Sequence, residues 1–415
     1  MSHIMPPATV DRFAVLIMRP EARDRYGVNR PGIHPLKCAL ERLGASLAVL
    51  DCSLDGAPEQ LLRWLQTGRV SFVYAQGGWG AQIMAREGDR VRSIFDQFET
   101  PFFARIAVPP FAASAIDAMS NPIAGKTILL GDKDAVSFAQ SMPGVASPVL
   151  PFSSVFAGFA GGTRRVVAKK LPASRAALVV ARMDPVDKVR ERWYEAFPEY
   201  AVFLDSLAER AYAERERPFT DVVRDSLEAE CVNIWEAGTK AFSMLTLVNM
   251  HVTSRLKLAM IRQAAAYPFR FILDGDLSGI RFHRDAEVSG PVPAEQLGVA
   301  YASCAAAISC NPNNMSGAIS ERIPAALNAG AAVVHARNSL LSDAFEAGKD
   351  FLEFEQTDED MARVFGAVAD GGCLAEMNAA MRPRFTDRFG PDRMAARLLE
   401  LVAQRGGLTG QEPVR

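Results

Sequence analysis

The stretch Ala307–Ala336 constrains the fold of this chain more than any other part of the sequence. It begins with a short apolar strand that ends at Cys310, and a polar, asparagine-rich turn follows. Ser316 and Gly317 then open a predicted helix that ends at Gly330, and a second apolar strand completes the stretch. Strand, turn, helix and strand in this order predict one unit of a parallel α/β sheet.

The start of this predicted helix has the features of an anion-binding site. Backbone N–H groups and the positive end of the helix dipole converge at the first turn of a helix. Glu321, one turn into the predicted helix, has a carboxylate that can accept hydrogen bonds from ribose hydroxyls. These features predict a nucleoside-diphosphate pocket. An ordinary strand–turn–helix unit with a polar turn remains the alternative, because short motifs of this kind occur widely.

The length and composition are those of a globular protein with two domains. A chain of 415 residues is long for a single hydrophobic core. Apolar residues make up 49% of the chain and charged residues 23%, as in soluble globular proteins. The net charge of −2 gives no electrostatic reason to expect a nucleic acid as partner.

The cysteines and the first residues predict a cytoplasmic protein. The six cysteines include no CxxC pair and no metal-ligand spacing, so we expect reduced core residues. Residues 1–10 lack the apolar segment of a secretory signal. No apolar run reaches the roughly 18–20 residues that a membrane-spanning helix requires. Peripheral association with a membrane and a homo-oligomer both remain open.

Changes in pattern along the chain predict two α/β domains. Strands alternate with helices over residues 10–155, which predicts an N-terminal Rossmann-like domain. A glycine-rich and then basic segment leads to a second α/β domain at 173–390. A charged segment with spaced aromatic residues, about 187–240, predicts a helical insertion in the second domain. Residues 391–405 form a closing C-terminal helix, with Pro391 suited to its first turn.

Three details of the second half resemble the C-terminal domain of GT-B glycosyltransferases. A Gly-x-Val step at Gly290 precedes a helix that carries Tyr301. The asparagine-rich loop leads to Ser-Gly and then to Glu-Arg-Ile at 321–323, with Ala-Gly after it. A terminal helix that follows a Phe-Gly pair closes the chain. The nearest pattern is that of group 1 and spore-maturation CgeB-like glycosyltransferases, and it covers about the last third of the chain.

This resemblance implies an α/β fold of two Rossmann-like domains facing a central cleft. The nucleotide-sugar donor is expected on the C-terminal domain and the acceptor on the N-terminal domain. By position, Glu321 holds the donor ribose, and the backbone at Ser316 and Gly317 holds the diphosphate. The other donor-binding residues that the resemblance implies are Asn311, Asn314, Arg322, Gly290 and Tyr301.

The sequence departs from the family pattern at one point in this pocket. Many relatives carry a second carboxylate a few residues after the Glu-Arg pair. This chain has Pro324 and Ala325 there. The contacts that a second carboxylate makes to the donor are therefore not expected in this protein.

Glycosyl transfer without a metal requires cations to stabilise the charge of the leaving diphosphate. Two pairs of basic residues are candidates. Arg182 and Lys188 follow the first strand of the second domain, and Arg255 and Lys257 lie on a later helix. Arg255 is the favoured catalytic cation, because Arg182 has the alternative interpretation of a surface charge at a strand end.

An inverting reaction also requires a base for the acceptor hydroxyl. His34, in the loop after the first strand, is the favoured base, and Glu21 is its rival. His335 ends a strand beside the predicted pocket and is an alternative contact for the sugar. Asp274-Gly275-Asp276 has the DxD spacing of a metal site but is typical of a turn here. We therefore expect no metal ion and no cofactor.

The sequence as a whole favours a metal-independent, hexosyltransferase-type enzyme. It would move a sugar from a nucleotide-sugar donor to a hydroxyl of a glycan, a lipid-linked glycan or a protein. A nucleotide-sugar epimerase of the same architecture is one alternative. A non-enzymatic, two-domain ligand-binding or scaffold protein is the other.

Overall fold

The computed structural model describes residues 11–18, 32–87, 89–153, 175–311 and 315–406. The contacts divide the chain into two compact units. The first comprises residues 1–110, 114–160 and 387–415, and the second comprises residues 111–113 and 161–386. Each unit has its own parallel β-sheet, as the alternation of strands and helices predicts.

A six-stranded parallel sheet forms the centre of the first unit. The strands of this unit are β1 (Phe13–Met18), β2 (Leu47–Asp51), β3 (Val70–Gln76), β4 (Met84–Glu87), β5 (Arg90–Ser93), β6 (Phe102–Ile106), β7 (Lys126–Leu130) and β8 (Val149–Pro151). The sheet has the order β2-β1-β3-β6-β7-β8, and β4 and β5 form a separate antiparallel ribbon. Every residue of β1 is buried, which explains why this strand is a continuous apolar run.

Short helices connect the strands of the first unit. They are α1 (Ile33–Arg42), α2 (Ala57–Gln66), α3 (Ile94–Gln97), α4 (Ile116–Ser120) and α5 (Val136–Ser141). Leu36 and Leu40 of α1 are fully buried against the sheet, in one core with Leu16 and Phe103. This core is the reason why the apolar residues of α1 recur at helical spacing.

The second unit is built on another six-stranded parallel sheet. Its strands are β9 (Arg175–Arg182), β10 (Arg270–Asp274), β11 (Glu287–Ser289), β12 (Cys304–Ser309), β13 (Ala332–Ala336) and β14 (Leu352–Phe354). Their order is β11-β10-β9-β12-β13-β14. The chain therefore adds strands first on one side of β9 and then on the other, so the winding reverses between β9 and β12. Open α/β sheets bind ligands at such a reversal, outside the carboxyl ends of the strands.

The chain between β9 and β10 is helical. It contains α6 (Val186–Ala196), α7 (Ala201–Ala213), α8 (Phe219–Ala229) and α9 (Lys240–Ala264). The last of these packs on the sheet, where Met260 and Ile261 share a core with Phe271 and Ile308. The later helices are α10 (Ala294–Ala302), α11 (Arg322–Ala329), α12 (Ser339–Ser342), α13 (Asp358–Ala369) and α14 (Leu374–Phe389).

The last helix, α15 (Pro391–Gly406), returns to the first unit. Its residues Ala395, Leu398 and Leu401 are buried in the same core as α1. Arg42 at the end of α1 forms an ion pair with Asp392 in the first turn of α15. The core of the first unit is therefore completed by a helix that follows the second unit along the chain.

The helix in the stretch Ala307–Ala336 begins later than the sequence pattern predicts. Ser316 and Gly317 lie in a turn, and α11 begins only at Arg322. Pro324 explains the difference. In a helix that started at residue 317, Pro324 would be an interior residue that removes a backbone hydrogen bond and clashes with the preceding turn. In the observed helix, Pro324 lies in the first turn, where its missing N–H has no intrahelical partner to lose.

Candidate functional site

Several charged side chains of the second unit meet where the winding reverses. β9 ends at Arg182 and β12 ends at Ser309, and α11 begins after the loop that follows β12. Lys257, on α9, lies close enough to Cys310 and Arg322 for their charges to influence one another's pKa. The site is thus built from a strand end, a loop, a helix start and a packed helix.

Arg322 is the first residue of α11, and its side chain reaches the end of β9. Its Nη1 donates a hydrogen bond to the carbonyl oxygen of Val180 at 2.8 Å. Its backbone N–H donates to Oγ of Ser320 at 3.3 Å. Within the described ranges, no carboxylate lies within ion-pair distance of the Arg322 guanidinium. A backbone carbonyl therefore holds this cation in place without neutralising its charge.

Lys257 is a second cation at the same place. Its side chain is half-buried, and its Nζ makes no hydrogen bond or ion pair with any residue that the structure describes. Burial lowers the pKa of Lys257, and the charges of Arg322 and Arg182 lower it further, while Cys310 and Asp184 act in the opposite direction. Two neighbouring cations without an acidic partner favour the binding of an anion.

His335, the fourth residue of β13, lies on the α11 side of the sheet and is fully buried. Its Nδ1 lies 2.6 Å from the carbonyl oxygen of Ala336, which can only accept, so Nδ1 carries the proton. Nε2 is then an unprotonated acceptor, and it has no partner among the described residues. Burial lowers the pKa of His335 to about 4, and the charge of Arg322 acts in the same direction. A neutral, unsatisfied acceptor therefore lies beside the cation at the start of α11.

Arg182 and Lys188, the first predicted basic pair, differ from these two cations. Arg182 Nε lies 3.5 Å from Asp274 Oδ2, and its Nη2 lies 3.9 Å from Asp184 Oδ1. The charge of Arg182 is therefore compensated by two carboxylates. Lys188 is exposed on α6. The pKa of Asp276 is lowered mainly by hydrogen bonds from Ser278, and the charge of Lys188 lowers it further.

The predicted turn at Asp274-Gly275-Asp276 is observed. Gly275 has a φ of 137°, and a Cβ there would lie 2.6 Å from the carbonyl oxygen of Met183, so only glycine fits. Oδ1 of Asp276 accepts a hydrogen bond from the Ser278 N–H at 2.8 Å. In the described part of the chain, no three His, Cys, Asp or Glu side chains are grouped as metal ligands.

Arg255 lies two residues before Lys257 but has other partners. Its Nη1 donates to Oε1 of Glu209 at 2.6 Å, and its guanidinium carbon lies 3.9 Å from the centre of the Tyr212 ring. Both partners belong to α7, so the Arg255 side chain is held between α7 and α9. The structure therefore brings Lys257, rather than Arg255, next to Arg322.

Gly290 and Tyr301, two of the donor-binding residues that the resemblance implies, differ in their exposure. Gly290 is exposed directly after the edge strand β11. Tyr301 is buried in the core between α10 and the sheet, and burial raises the pKa of its phenol to about 12. The charge of Arg322 opposes this change, which places Tyr301 within electrostatic reach of the site.

The predicted diphosphate loop precedes α11. Asn311 Nδ2 donates to the carbonyl oxygen of Arg337 at 3.0 Å. The carbonyl oxygen of Ser316 accepts from the Ser339 N–H at 3.0 Å, and Gly317 is buried. Glu321 is half-buried and directly precedes α11. The predicted residues Asn311, Ser316, Gly317, Glu321 and Arg322 thus lie along one loop and one helix start.

The remaining predicted residues are His34, Glu21 and Asn314. His34 is exposed at the start of α1 in the first unit, with its Nε2 3.8 Å from Cys38 Sγ. Glu21 and Asn314 lie outside the described residues. The role of His34 as a base therefore stays a prediction.

Sequence reasoning missed one residue of this region, Asn338. It is fully buried after β13 and makes hydrogen bonds to the loop before α11. A signal was present, because an asparagine before Ser-Leu-Leu-Ser is typical of a helix N-cap. That pattern predicts the hydrogen bond to Leu341, which is observed at 3.0 Å, but not the contacts to the distant loop.

Residues 255–400 match the glycosyl transferase-like family. The matched segment contains Lys257, Arg322, His335 and Asn338. It therefore includes the uncompensated cations described above, while the first half of the chain lies outside the match. No curated protein sequence matches the chain.

The whole chain is similar in structure to solved glycosyltransferases. A glycosyltransferase from Rickettsia africae ESF-5 superimposes with a TM-score of 0.51, at 10% sequence identity, over 97% of this chain and 100% of that chain. AviGT4, a glycosyltransferase involved in avilamycin A biosynthesis, gives a TM-score of 0.49 at 14% identity, over 96% and 99% of the two chains. The predicted fold class is confirmed: the chain has the two parallel-sheet, Rossmann-like domains of GT-B structures. Among the described helices, none combines the length and apolar character needed to cross a membrane.

Proposed function

We propose that this protein is a glycosyltransferase that binds a nucleoside-diphosphate sugar on its second unit. The diphosphate would lie at the start of α11, against Arg322 and Lys257. The observation that carries this proposal is the pair of neighbouring cations without an acidic partner in the described part of the chain. The family match over 255–400 supports glycosyl transfer as the reaction.

The arrangement suits the chemistry of the leaving group. When the bond between the anomeric carbon and the phosphate breaks, negative charge grows on the departing diphosphate. Arg322 and Lys257 would stabilise this charge, and the positive end of the α11 dipole adds to it. Burial disfavours the charged form of Lys257. A bound diphosphate would favour the protonated form of Lys257, and the protonated Lys257 would in turn bind the diphosphate more tightly.

The neighbouring polar groups complete the proposed donor site. Glu321, directly before α11, would accept hydrogen bonds from the ribose, as the family resemblance implies. Nε2 of His335 would accept from a hydroxyl of the donor sugar or from a water molecule. The hexosyl character of the sugar, the absence of a metal requirement and the hydroxyl acceptor are further parts of this proposal.

The proposal is tested by calorimetric titration with UDP, GDP, ADP, CDP and dTDP. Lys257→Met and Arg322→Met should each reduce the affinity for the tightest-binding nucleotide by about tenfold to a hundredfold, because a hydrogen bond to a charged group contributes about 1.5–3 kcal/mol. Arg262→Met is the matched control, since Arg262 is an exposed cation on the same helix. Arg255→Met tests the rival cation of the predicted pair.

Turnover is measured next with the sugar conjugate of the nucleotide that binds. Slow hydrolysis of the donor, which releases the nucleoside diphosphate, is expected for a glycosyltransferase without its acceptor. Conversion of the donor to an epimer would instead show an epimerase, and binding without any turnover would show a binding protein. If none of the five nucleotides binds, the donor site at α11 is refuted.

A further inference from the structure

Asn338 has a complete set of hydrogen bonds in the interior of the second unit. Its side-chain amide donates to Oδ1 of Asn311 and to the carbonyl oxygen of Ala318, both at 2.7 Å. Its Oδ1 accepts from the Leu341 N–H at 3.0 Å, and its backbone N–H donates to Oε1 of Glu353 at 3.4 Å. Both amide hydrogens and the amide oxygen of this fully buried residue are therefore used.

The two amide donors reach separate points of the loop before α11. Asn311 lies at the end of β12, and Ala318 lies four residues before Arg322. Ser339, the neighbour of Asn338, adds a third connection, because its backbone N–H donates to the carbonyl oxygen of Ser316 at 3.0 Å. The segment after β13 thus holds this loop at residues 311, 316 and 318.

These connections have a consequence for ligand binding. Backbone that is already held in place in the free protein, here at residues 311, 316 and 318, does not have to lose conformational freedom when the ligand binds. Without the amide of Asn338, the carbonyl of Ala318 and Oδ1 of Asn311 lose a buried partner, and other loop conformations become accessible.

We propose that Asn338 is a positioning residue that pre-organises the loop for the diphosphate of the donor. This inference rests on the proposed donor site at α11. Asn338 itself does not touch the ligand: it acts through Asn311 and Ala318. Its loss should therefore reduce nucleotide affinity by more than a general loss of stability would.

Asn378 offers a matched control. Its side-chain amide is also buried and also donates two hydrogen bonds, here to the backbone carbonyls of Leu327 at 3.2 Å and Ala331 at 2.8 Å. Both acceptors lie at the end of α11 that is remote from the loop. Asn378→Ala and Asn338→Ala thus remove the same type of contact from opposite ends of one helix.

The experiment measures the melting temperature without ligand and the Kd for the tightest-binding of UDP, GDP, ADP, CDP and dTDP. The Kd is measured well below the melting temperature of each variant. Both alanine variants should have a lower melting temperature than the wild type. Asn338→Ala should raise the Kd by about tenfold, which corresponds to about 1.4 kcal/mol. Asn378→Ala should leave the Kd within about twofold of the wild type, since a change below about 0.4 kcal/mol is expected away from the loop.

Ser339→Pro is a second variant that should fold even if Asn338→Ala does not. Ser339 is the first residue of α12, where proline is well tolerated, and Asn338 has the extended backbone that suits a residue before proline. This substitution removes the N–H that donates to the Ser316 carbonyl at 3.0 Å and the hydroxyl that lies 3.4 Å from the same carbonyl oxygen, while it leaves the Asn338 side chain in place. It should raise the Kd in the same direction as Asn338→Ala.

The outcomes separate this inference from the proposed function. If the wild type binds none of the five nucleotides, the donor site is refuted and the role of Asn338 with it. If the wild type binds and both Asn338→Ala and Ser339→Pro keep the wild-type Kd, the donor site stands and the positioning role is overturned. Equal weakening in Asn338→Ala and Asn378→Ala would also overturn it, because affinity would then follow stability alone.

Discussion

The buried imidazole of His335 makes the stability of the second unit depend on pH in a defined window. Its pKa falls from 6.5 to about 4 because the charged form is disfavoured inside the protein. Between these two values, the unfolded chain binds a proton that the folded chain does not. The free energy of unfolding is therefore unaffected above pH 6.5 and decreases as the pH falls from 6.5 towards 4.

The size of this effect follows from the two pKa values. Each pKa unit corresponds to about 1.4 kcal/mol, so the complete loss is about 3 kcal/mol once the pH lies below both values. At pH 5, where most proteins are still folded, the same linkage gives a loss of about 2 kcal/mol. This is a large part of the about 5–15 kcal/mol by which native proteins are stable.

His335→Asn isolates the contribution of this residue. The asparagine amide can still donate to the carbonyl of Ala336, but it has no proton to gain in this pH range. Urea unfolding of both proteins is followed at several pH values between about 5 and 7.5, with the change in stability compared within each protein. The wild type should lose about 2 kcal/mol more than the variant between pH 7 and pH 5.

The comparison has an internal control in His251, whose pKa is also lowered by burial. His251 is present in both proteins, so its contribution cancels in the difference. If the two stability profiles run parallel, His335 is not a buried neutral imidazole, and its proposed role as an acceptor beside Arg322 is refuted.

Three further predictions concern other charged groups and one turn. Burial lowers the pKa of Lys126 to about 8, so stability should rise with pH between about 8 and 10.5, and Lys126→Met should remove this rise in a pH series of thermal melts. Gly275→Ala should cost about 1–3 kcal/mol or more of stability through its φ of 137° and its clash with Met183; Gly279→Ala, which also has a positive φ of 78° but whose Cβ would meet no atom within 4 Å, should cost less, and the difference in unfolding free energy measures the clash. Nucleotide affinity at the two proposed cations should fall as salt rises from about 0.05 to 0.5 M, because dissolved ions screen the attraction between the cations and the approaching nucleotide; an affinity that stays constant across this salt series would contradict the electrostatic basis of the site.

The fold was largely predictable from the sequence because buried parallel strands appear in it as short apolar runs. Each of β1, β9 and β13 is an apolar run bounded by polar turns, and the run length alone predicts a strand. The start of α11 could also have been predicted from Pro324, which is compatible only with the first turn. The family resemblance, rather than any local pattern, indicated the GT-B arrangement.

The choice between the basic residues of α9 could not be made from the sequence. Residues around the whole circumference of this helix are buried, including the consecutive residues His251, Val252, Thr253 and Ser254. No apolar stripe therefore identifies the face that meets the sheet. Arg255 and Lys257 are two residues apart and point in different directions, so only the packing against α7 separates them.

The role of Asn338 was hidden for a different reason. Its partners Asn311 and Ala318 lie 27 and 20 residues earlier in the chain. A contact of this kind depends on the pairing of β12 with β13, which brings the ends of the two strands together. Motif reasoning describes residues that are near in sequence, so a buried amide that connects two strand ends leaves no local pattern.

The return of α15 to the first unit has a consequence for how the protein is made. On the ribosome, the strands of the first unit emerge long before Ala395, Leu398 and Leu401, which fill part of its core. The whole second unit is synthesised in between, and it can fold first because its own core needs no later residues. The apolar surface of α1 therefore stays exposed in the nascent chain until α15 has been synthesised. A fragment that stops before residue 391 should depend on chaperones or aggregate.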